Sequence, residues 1–166
     1  MRSLLTFALA AAVAVTGCGG SGNPAGPSGP GTGNPSNGSA SATIDGTALT
    51  ATTVTAQCVN SMLTIGVGTA THTIAFSVIT TGPGTVPVPG SPGGTDAGNN
   101  AVLTQLTGAS VIGTWFCNLI QGGSGSVTIT SLTATAVAGT FTFNLVPAPG
   151  SVGNRSITQG QFNIRF

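Results

Sequence analysis

The sequence has no lysine, no glutamate and no tyrosine, and charged residues make up only 3% of it. Beyond residue 17 the charges reduce to Asp45, Asp96, Arg155 and Arg165, which sum to zero. Each absence excludes a kind of chemistry. Nucleic-acid binding needs clustered cations to displace phosphate counterions, so no nucleic-acid partner is expected. Glycoside hydrolysis by paired carboxylates would require Asp45 and Asp96 to meet, with no glutamate in reserve. General acid–base work has only Asp45, Asp96 and His72 to draw on. No GxSxG elbow marks any serine as a nucleophile. The chain is therefore not expected to be an enzyme, and no catalytic residue is assigned. One tryptophan and no tyrosine also leave nothing from which to build the aromatic girdles of a membrane barrel.

What is present begins with an N-terminal signal. Met1-Arg2-Ser3 gives a basic start, and Leu4 to Val15 is an apolar run too short to span a bilayer. Val15-Thr16-Gly17-Cys18 closes it. Small residues followed directly by a cysteine are the pattern of a bacterial lipoprotein signal, because a thiol is what lipid transfer to form a thioether requires. Residues 1–17 are read as removed, leaving Cys18 as the first residue of the mature chain. Cys18 is expected to carry a diacylglycerol and an N-acyl chain, palmitate among the acyl groups. One acyl chain holds a protein only marginally, whereas two or three hold it stably. Gly19 follows the cysteine where an aspartate would favour inner-membrane retention. The expected address is extracytoplasmic and membrane-anchored, on the bacterial outer membrane, at its periplasmic face or the cell surface.

Residues 19–41 are almost entirely Gly, Pro, Ser and Asn. Such a segment buries too little apolar surface to offset its ordering entropy. Residues 18–41 are read as the anchor cysteine and a flexible tether, and 42–166 as one domain with one core.

Within 42–166 the pattern is strands and turns throughout. Asp45-Gly46 between two alternating segments signals a hairpin with a type I′ turn. Asn60-Ser61 marks another turn. Leu63, Ile65 and Val67, then Ile74, Phe76 and Val78, alternate with small or polar residues. Phe141, Phe143 and Leu145 do the same, and the chain ends with Phe162, Ile164 and Phe166 on one face. Residues 82–100 form a long Gly/Pro loop in which Val86 and Val88 make at best a short edge piece. The expectation is an all-β fold, a single antiparallel β-sandwich of about eight or nine short strands.

Cys58 and Cys117 remain once Cys18 is assigned to lipid. An even pair in an oxidising compartment reads most simply as one disulfide, joining distant strands and worth about 4 kcal/mol in the chain-entropy model. The alternative is two buried, inert thiols. No CxxC or HxxxH spacing unites His72 with the cysteines, so no metal site is expected. No cofactor is expected beyond the acyl chains on Cys18. Gly122-Gly123-Ser124-Gly125 is a turn, since a phosphate loop would need a following helix and usually a lysine. Asp45 is accounted for by its turn, Asp96 by solvation in its loop, and His72 by a structural place at a strand start. Trp115 is read as packed on the disulfide in the core.

Several segments together resemble a family of uncharacterised bacterial lipoproteins known only as a domain of unknown function. They are Ala42-Thr43-Ile44-Asp45-Gly46 followed by Ala51, then Val127-Thr128-Ile129-Thr130, then Val137-Ala138-Gly139-Thr140-Phe141-Thr142-Phe143, and finally Ile157-Thr158-Gln159-Gly160-Gln161-Phe162-Asn163-Ile164. The resemblance covers most of residues 40–166. It implies a lipid-anchored β domain with no established activity, and it supplies no catalytic residues. This chain departs from such relatives in its low charge.

The resulting functional expectation is a non-catalytic envelope lipoprotein whose β-sandwich serves binding, adhesion or envelope structure. The sequence names no ligand-binding residue. The loops 82–100 and 147–155 are the expected contact surfaces, and Arg155 is the one charge in the second. The alternative is a periplasm-facing accessory subunit that meets another envelope protein through a strand edge. A hydrolase ranks third, and a clustered, buried His72–Asp pair in a cleft would be needed to support it.

Overall fold

The computed structural model describes residues 38–166. The expected signal segment 1–17, the expected lipid-attachment residue Cys18 and most of the expected tether lie outside the described residues.

The chain is all-β, with no helix among the described residues. Eleven strands follow in order: β1 (Gly38–Ile44), β2 (Thr47–Thr50), β3 (Thr53–Val59), β4 (Met62–Gly68), β5 (His72–Ile79), β6 (Gly84–Val88), β7 (Asn100–Thr107), β8 (Ser110–Cys117), β9 (Ser124–Leu132), β10 (Ala136–Pro147) and β11 (Arg155–Arg165). All pair antiparallel. A first sheet runs β2-β1-β11-β10-β9-β6. A second runs β8-β7-β5-β4-β3. The end of β10 joins them, where Val146 and Pro147 pair with Phe116 and Trp115. The hydrogen-bonded path is therefore one open sheet that folds over on itself.

The core lies between the two inner faces. Phe76 of β5 reaches across to Phe141, Phe143 and Phe162, with ring centroids 5.0, 5.5 and 5.9 Å away. Period-2 alternation is what places these residues inward: β10 alternates buried and exposed from Val137 to Leu145. The two expected turns form as read. Asp45 and Gly46 have φ of 47° and 82°, and Asn60 and Ser61 of 49° and 64°, the two positive values that a type I′ turn demands.

Three expectations need correction. The strand count is eleven rather than eight or nine, because small-residue stretches that read as linker or turn are paired backbone. β6 contains Pro87 yet forms a full ladder with β9. It is an edge strand, so the missing N–H can face away from its only partner.

The expected tether over residues 18–41 overlaps a strand at its end. Gly38 to Ser41 belong to β1, which is flanked by β11 on one side and by β2 on the other. Its small residues fit an inner position. Ala40 and Ala42 are buried, and a Cβ on Gly38 would come within 2.7 Å of Asn163 O and Ile164 Cα.

The Cys58–Cys117 disulfide is not formed. Cys117 is a free, fully buried thiol whose Sγ donates to the Val88 carbonyl at 3.1 Å. The two cysteines share one sheet, with β4, β5 and β7 between their strands. At about 4.8 Å per strand step that places them roughly 19 Å apart along the sheet, against the 7 Å or so that a disulfide tolerates between Cα atoms. Burial pushes the Cys117 thiol up to about 11, so it stays protonated at neutral pH. A maleimide or iodoacetamide is expected to leave Cys117 unmodified in the native protein and to label it fully in urea. Chymotryptic peptide mass spectrometry reads the difference, and native-state labelling would refute the buried placement.

Candidate functional site

Two of the four charged side chains of this nearly chargeless domain meet at one end of the sandwich. Asp45 sits in the β1–β2 turn and Arg155 opens β11, two segments brought together by the β1–β11 ladder. Arg155 Nη1 donates to Asp45 Oδ2 at 2.7 Å, and the Ser156 backbone N–H donates to Oδ1 at 2.8 Å. Asp45 N–H in turn reaches the Ser156 carbonyl at 2.9 Å. Both carboxylate oxygens are thus occupied.

The Arg155 guanidinium lies over the ring of Trp115, 4.6 Å from its centroid. This closes the end of the core from both sheets at once, since Arg155 pairs with buried Leu145 on the first sheet and Trp115 with buried Leu103 on the second. Trp115 is itself fixed. Its Nε1 donates to the Gly153 carbonyl at 2.8 Å, while Thr114 N–H donates to Ser151 Oγ at 2.8 Å. The loop 148–154 is therefore fastened down over β8. Gly113 makes room for the ring, because a side chain there would collide with the six-membered edge of Trp115.

His72 completes the surroundings from the β4–β5 turn. Thr69 organises that turn: its Oγ1 accepts from the N–H of His72 at 3.0 Å and of Thr71 at 3.3 Å. His72 Nδ1 lies 3.0 Å from the Thr71 hydroxyl. A cleft of about 350 Å³ runs between this turn and β2, lined by Ile44, Asp45, Thr47 to Thr50, Thr69, Thr71, His72 and Arg155.

The electrostatics suit a clasp. Burial pushes the Asp45 carboxyl up, but the Ser156 N–H, the Arg155 hydrogen bond and the Arg155 and His72 charges together outweigh it and hold it below its ordinary value. Burial, then the Arg155 charge, lowers His72 despite the opposing pull of Asp45. Asp45 is hydrogen-bonded to Arg155 and Ser156, and the His72 ring to Thr71, so the carboxylate does not orient the imidazole as a general base would need.

Both shifts have the same sign for stability. A depressed carboxyl contributes stability that is present above its unfolded value near 4 and lost as pH falls through the folded value. A depressed histidine binds fewer protons in the fold, so stability is lost as pH drops below about 6.5. Thermal melting is therefore expected to fall in two steps on acidification. His72→Asn should remove the upper step and Asp45→Asn the lower. At neutral pH, Asp45→Asn should cost about 1 kcal/mol or less, because both side chains of the pair are about one-third exposed. A melting temperature that is flat from pH 7 to 3.5 would count against this assignment.

The other sequence-level candidates are scattered. Asp96 lies in the loop after β6, where its Oδ1 accepts from Ser91 N–H at 3.1 Å. That loop is pinned at its base by buried Asn99, whose Oδ1 accepts from Ile79 N–H and whose Nδ2 donates to the Pro87 carbonyl. Cys58 is half-buried on β3. Gly122 and Gly123, with φ of 99° and 94°, form a turn before β9. Phe162 and Ile164 are buried in the first sheet, while Phe166 is 42% exposed. Among the described residues no group of three His, Cys, Asp or Glu side chains is placed to hold a metal ion.

Sequence reasoning missed the pairing of Asp45 with Arg155, which lie 110 residues apart. The available signal was scarcity: in a domain with two carboxylates and two guanidinium groups, any charge with a structural role has few partners to choose from.

The family described as "Domain of unknown function (DUF6252)" matches residues 36–164. No curated protein matches the chain. No solved structure matches it either.

Proposed function

We propose that this chain, which belongs to the DUF6252 family of domains of unknown function, is a lipid-anchored envelope protein whose β domain binds rather than reacts. The observation that carries the reading is the state of its titratable groups. Asp45 and Arg155 are committed to each other, to Ser156 and to the Trp115 ring, a rigid closure of the sandwich rather than a proton-transfer pair. What remains is a stiff scaffold with fastened loops, which suits recognition. The lipid anchor rests on Val15-Thr16-Gly17-Cys18 after its apolar run, and the Gly, Pro, Ser and Asn composition of residues 19–37 supports their reading as the spacer from membrane to domain.

Metabolic labelling with an alkyne-tagged palmitate analogue tests the anchor. Label on the wild type and its loss in Cys18→Ala, with release of that variant into the soluble fraction, is the expected result. Unlabelled wild-type protein would overturn it. An epitope tag placed within residues 19–37 then reports the face: antibody binding to intact cells directs the ligand search outward, and binding only after permeabilisation directs it to the periplasm.

A second reading, an accessory subunit of an envelope complex, is favoured by one surface. Ser110, Val111 and Gly113 of β8 pair with β7 on one side, with Ile112 at a register shift between them, and β10 reaches only Trp115 and Phe116 on the other. Val111 and Ile112 stand 61% and 55% exposed beside that open edge. Such an edge is a template for strand addition. A stoichiometric partner cross-linked through residue 112 and lost in Ile112→Lys would establish it.

A further inference from the structure

The outer face of the first sheet carries an array that the clasp does not use. Strand register aligns one residue from each of its six strands in a single rank: Thr50, Ser41, Gln161, Thr140, Thr128 and Thr85. Every member is a hydroxyl or carboxamide. Neighbours in the rank are about 4.8 Å apart, so the rank extends about 24 Å. Parallel ranks on either side repeat the chemistry, with Thr43 and Thr142 at one flank and Ser39 and Asn163 at the other.

This face is shaped as well as patterned. The register slips between Ser41 and Thr43 and between Phe141 and Phe143, and such bulges bend a sheet. Two adjoining grooves of about 480 and 470 Å³ lie on it. Thr50, Ser41, Gln161 and Thr140 line both, so four of the six rank residues form their common floor, and no charged residue lines either groove.

We infer that this face binds a neutral polysaccharide chain laid along the rank. The inference rests on the reading of the domain as a binding module and names its ligand class. Hydroxyls and carboxamides each donate and accept, as sugar hydroxyls do, so a neutral glycan can satisfy them without counter-charge. An acidic ligand would find no cation in the grooves. Thr85 and Thr128 hydrogen-bond each other at 2.9 Å, but an apolar ligand would strand the side chains of Thr50, Ser41, Gln161 and Thr140 without partners, at about 1–3 kcal/mol each. A protein partner would want buried aromatic or arginine anchors, whereas the rank offers short polar side chains. The strand spacing is also close to the repeat of an extended pyranose chain, so successive rings can meet successive strands.

The test is isothermal titration of the full-length protein in detergent with laminarin, dextran and hydroxyethylcellulose, and with polygalacturonate as the acidic comparison. Binding to at least one neutral polymer is expected. Thr140→Glu and Gln161→Glu should each weaken it about tenfold or more, the factor that one lost buried hydrogen bond represents. Thr140→Ser and Gln57→Ala, an exposed position on β3 of the other sheet, should retain it, and circular dichroism should show all four variants folded. Binding that survives both glutamate variants, or that is lost in Gln57→Ala alone, overturns the face while leaving a binding domain in place. Preference for polygalacturonate overturns the neutral-ligand assignment. Absence of heat with every neutral polymer overturns the inference outright, and the palmitate and cross-linking experiments judge the broader reading separately.

Discussion

Phe76→Ala is expected to destabilise the domain by about 3–5 kcal/mol, the range for deleting a fully buried phenylalanine. Phe76 is 1% exposed and is the second sheet's aromatic contribution to a cluster whose other members, Phe141, Phe143 and Phe162, belong to the first. Removing it leaves a void that neither sheet can close, because each is held in register by its own ladder. For a domain of this size each kcal/mol corresponds to roughly 4 °C in melting temperature, so the transition should drop by more than ten degrees. Phe166→Ala, at a residue 42% exposed, should shift it by no more than a degree or two. Urea unfolding followed by Trp115 fluorescence measures both, and the absence of tyrosine makes that signal a single-site probe. A double-mutant cycle between Phe76 and Phe141 should return about 0.5–1.5 kcal/mol of coupling. A Phe76→Ala cost below 1 kcal/mol would mean that the two sheets do not meet at this cluster.

The positions in that cluster were legible from the sequence because period-2 alternation is a local property. Ile74, Phe76 and Val78 face inward wherever their strand ends up, and so do Phe141, Phe143 and Leu145. Turn chemistry was legible for the same reason: Asp45-Gly46 and Asn60-Ser61 adopt positive φ as their residue types allow. Which strands share a sheet is not local, and there the sequence misled. Cys58 and Cys117 look like partners across a sandwich, yet both strands lie in the second sheet with three others between them. Composition misled at Gly38 to Ser41 as well. Small residues are what a linker uses and also what a strand between close neighbours needs, and only the position of Ile164 opposite Gly38 distinguishes the two. The clasp was hidden for a related reason. Asp45 was fully explained by its turn, so nothing local called for Arg155. The hydroxyl rank is likewise a product of register, since every member reads in sequence as one more threonine, serine or glutamine on a solvent face.

Trp115→Ala is expected to have a comparable stability cost, about 3–5 kcal/mol, but with a different local consequence. The ring is 3% exposed and performs three tasks: it fills the end of the core, anchors Gly153 through Nε1, and supports the Arg155 guanidinium. Alanine removes all three. Loop 148–154 then keeps only the Thr114 contacts to Ser151 and Ala148, and Arg155 retains Asp45 alone. Hydrogen exchange should therefore rise at the amides of residues 149–156 well beyond the global loss of stability. Trp115→Phe separates the contributions. It keeps most of the packing and a ring face for Arg155, but leaves the Gly153 carbonyl without its donor, so a cost of about 1–3 kcal/mol is expected. Because Asp45 is held ionised partly by Arg155, a guanidinium freed from its ring should hold the carboxylate less well. The Asp45 part of the acid-side fall in melting temperature should accordingly be smaller, and be complete at higher pH, in Trp115→Ala than in the wild type. An unchanged acid limb, together with unchanged exchange at 149–156, would show that Trp115 is only filler and that the clasp closes without it.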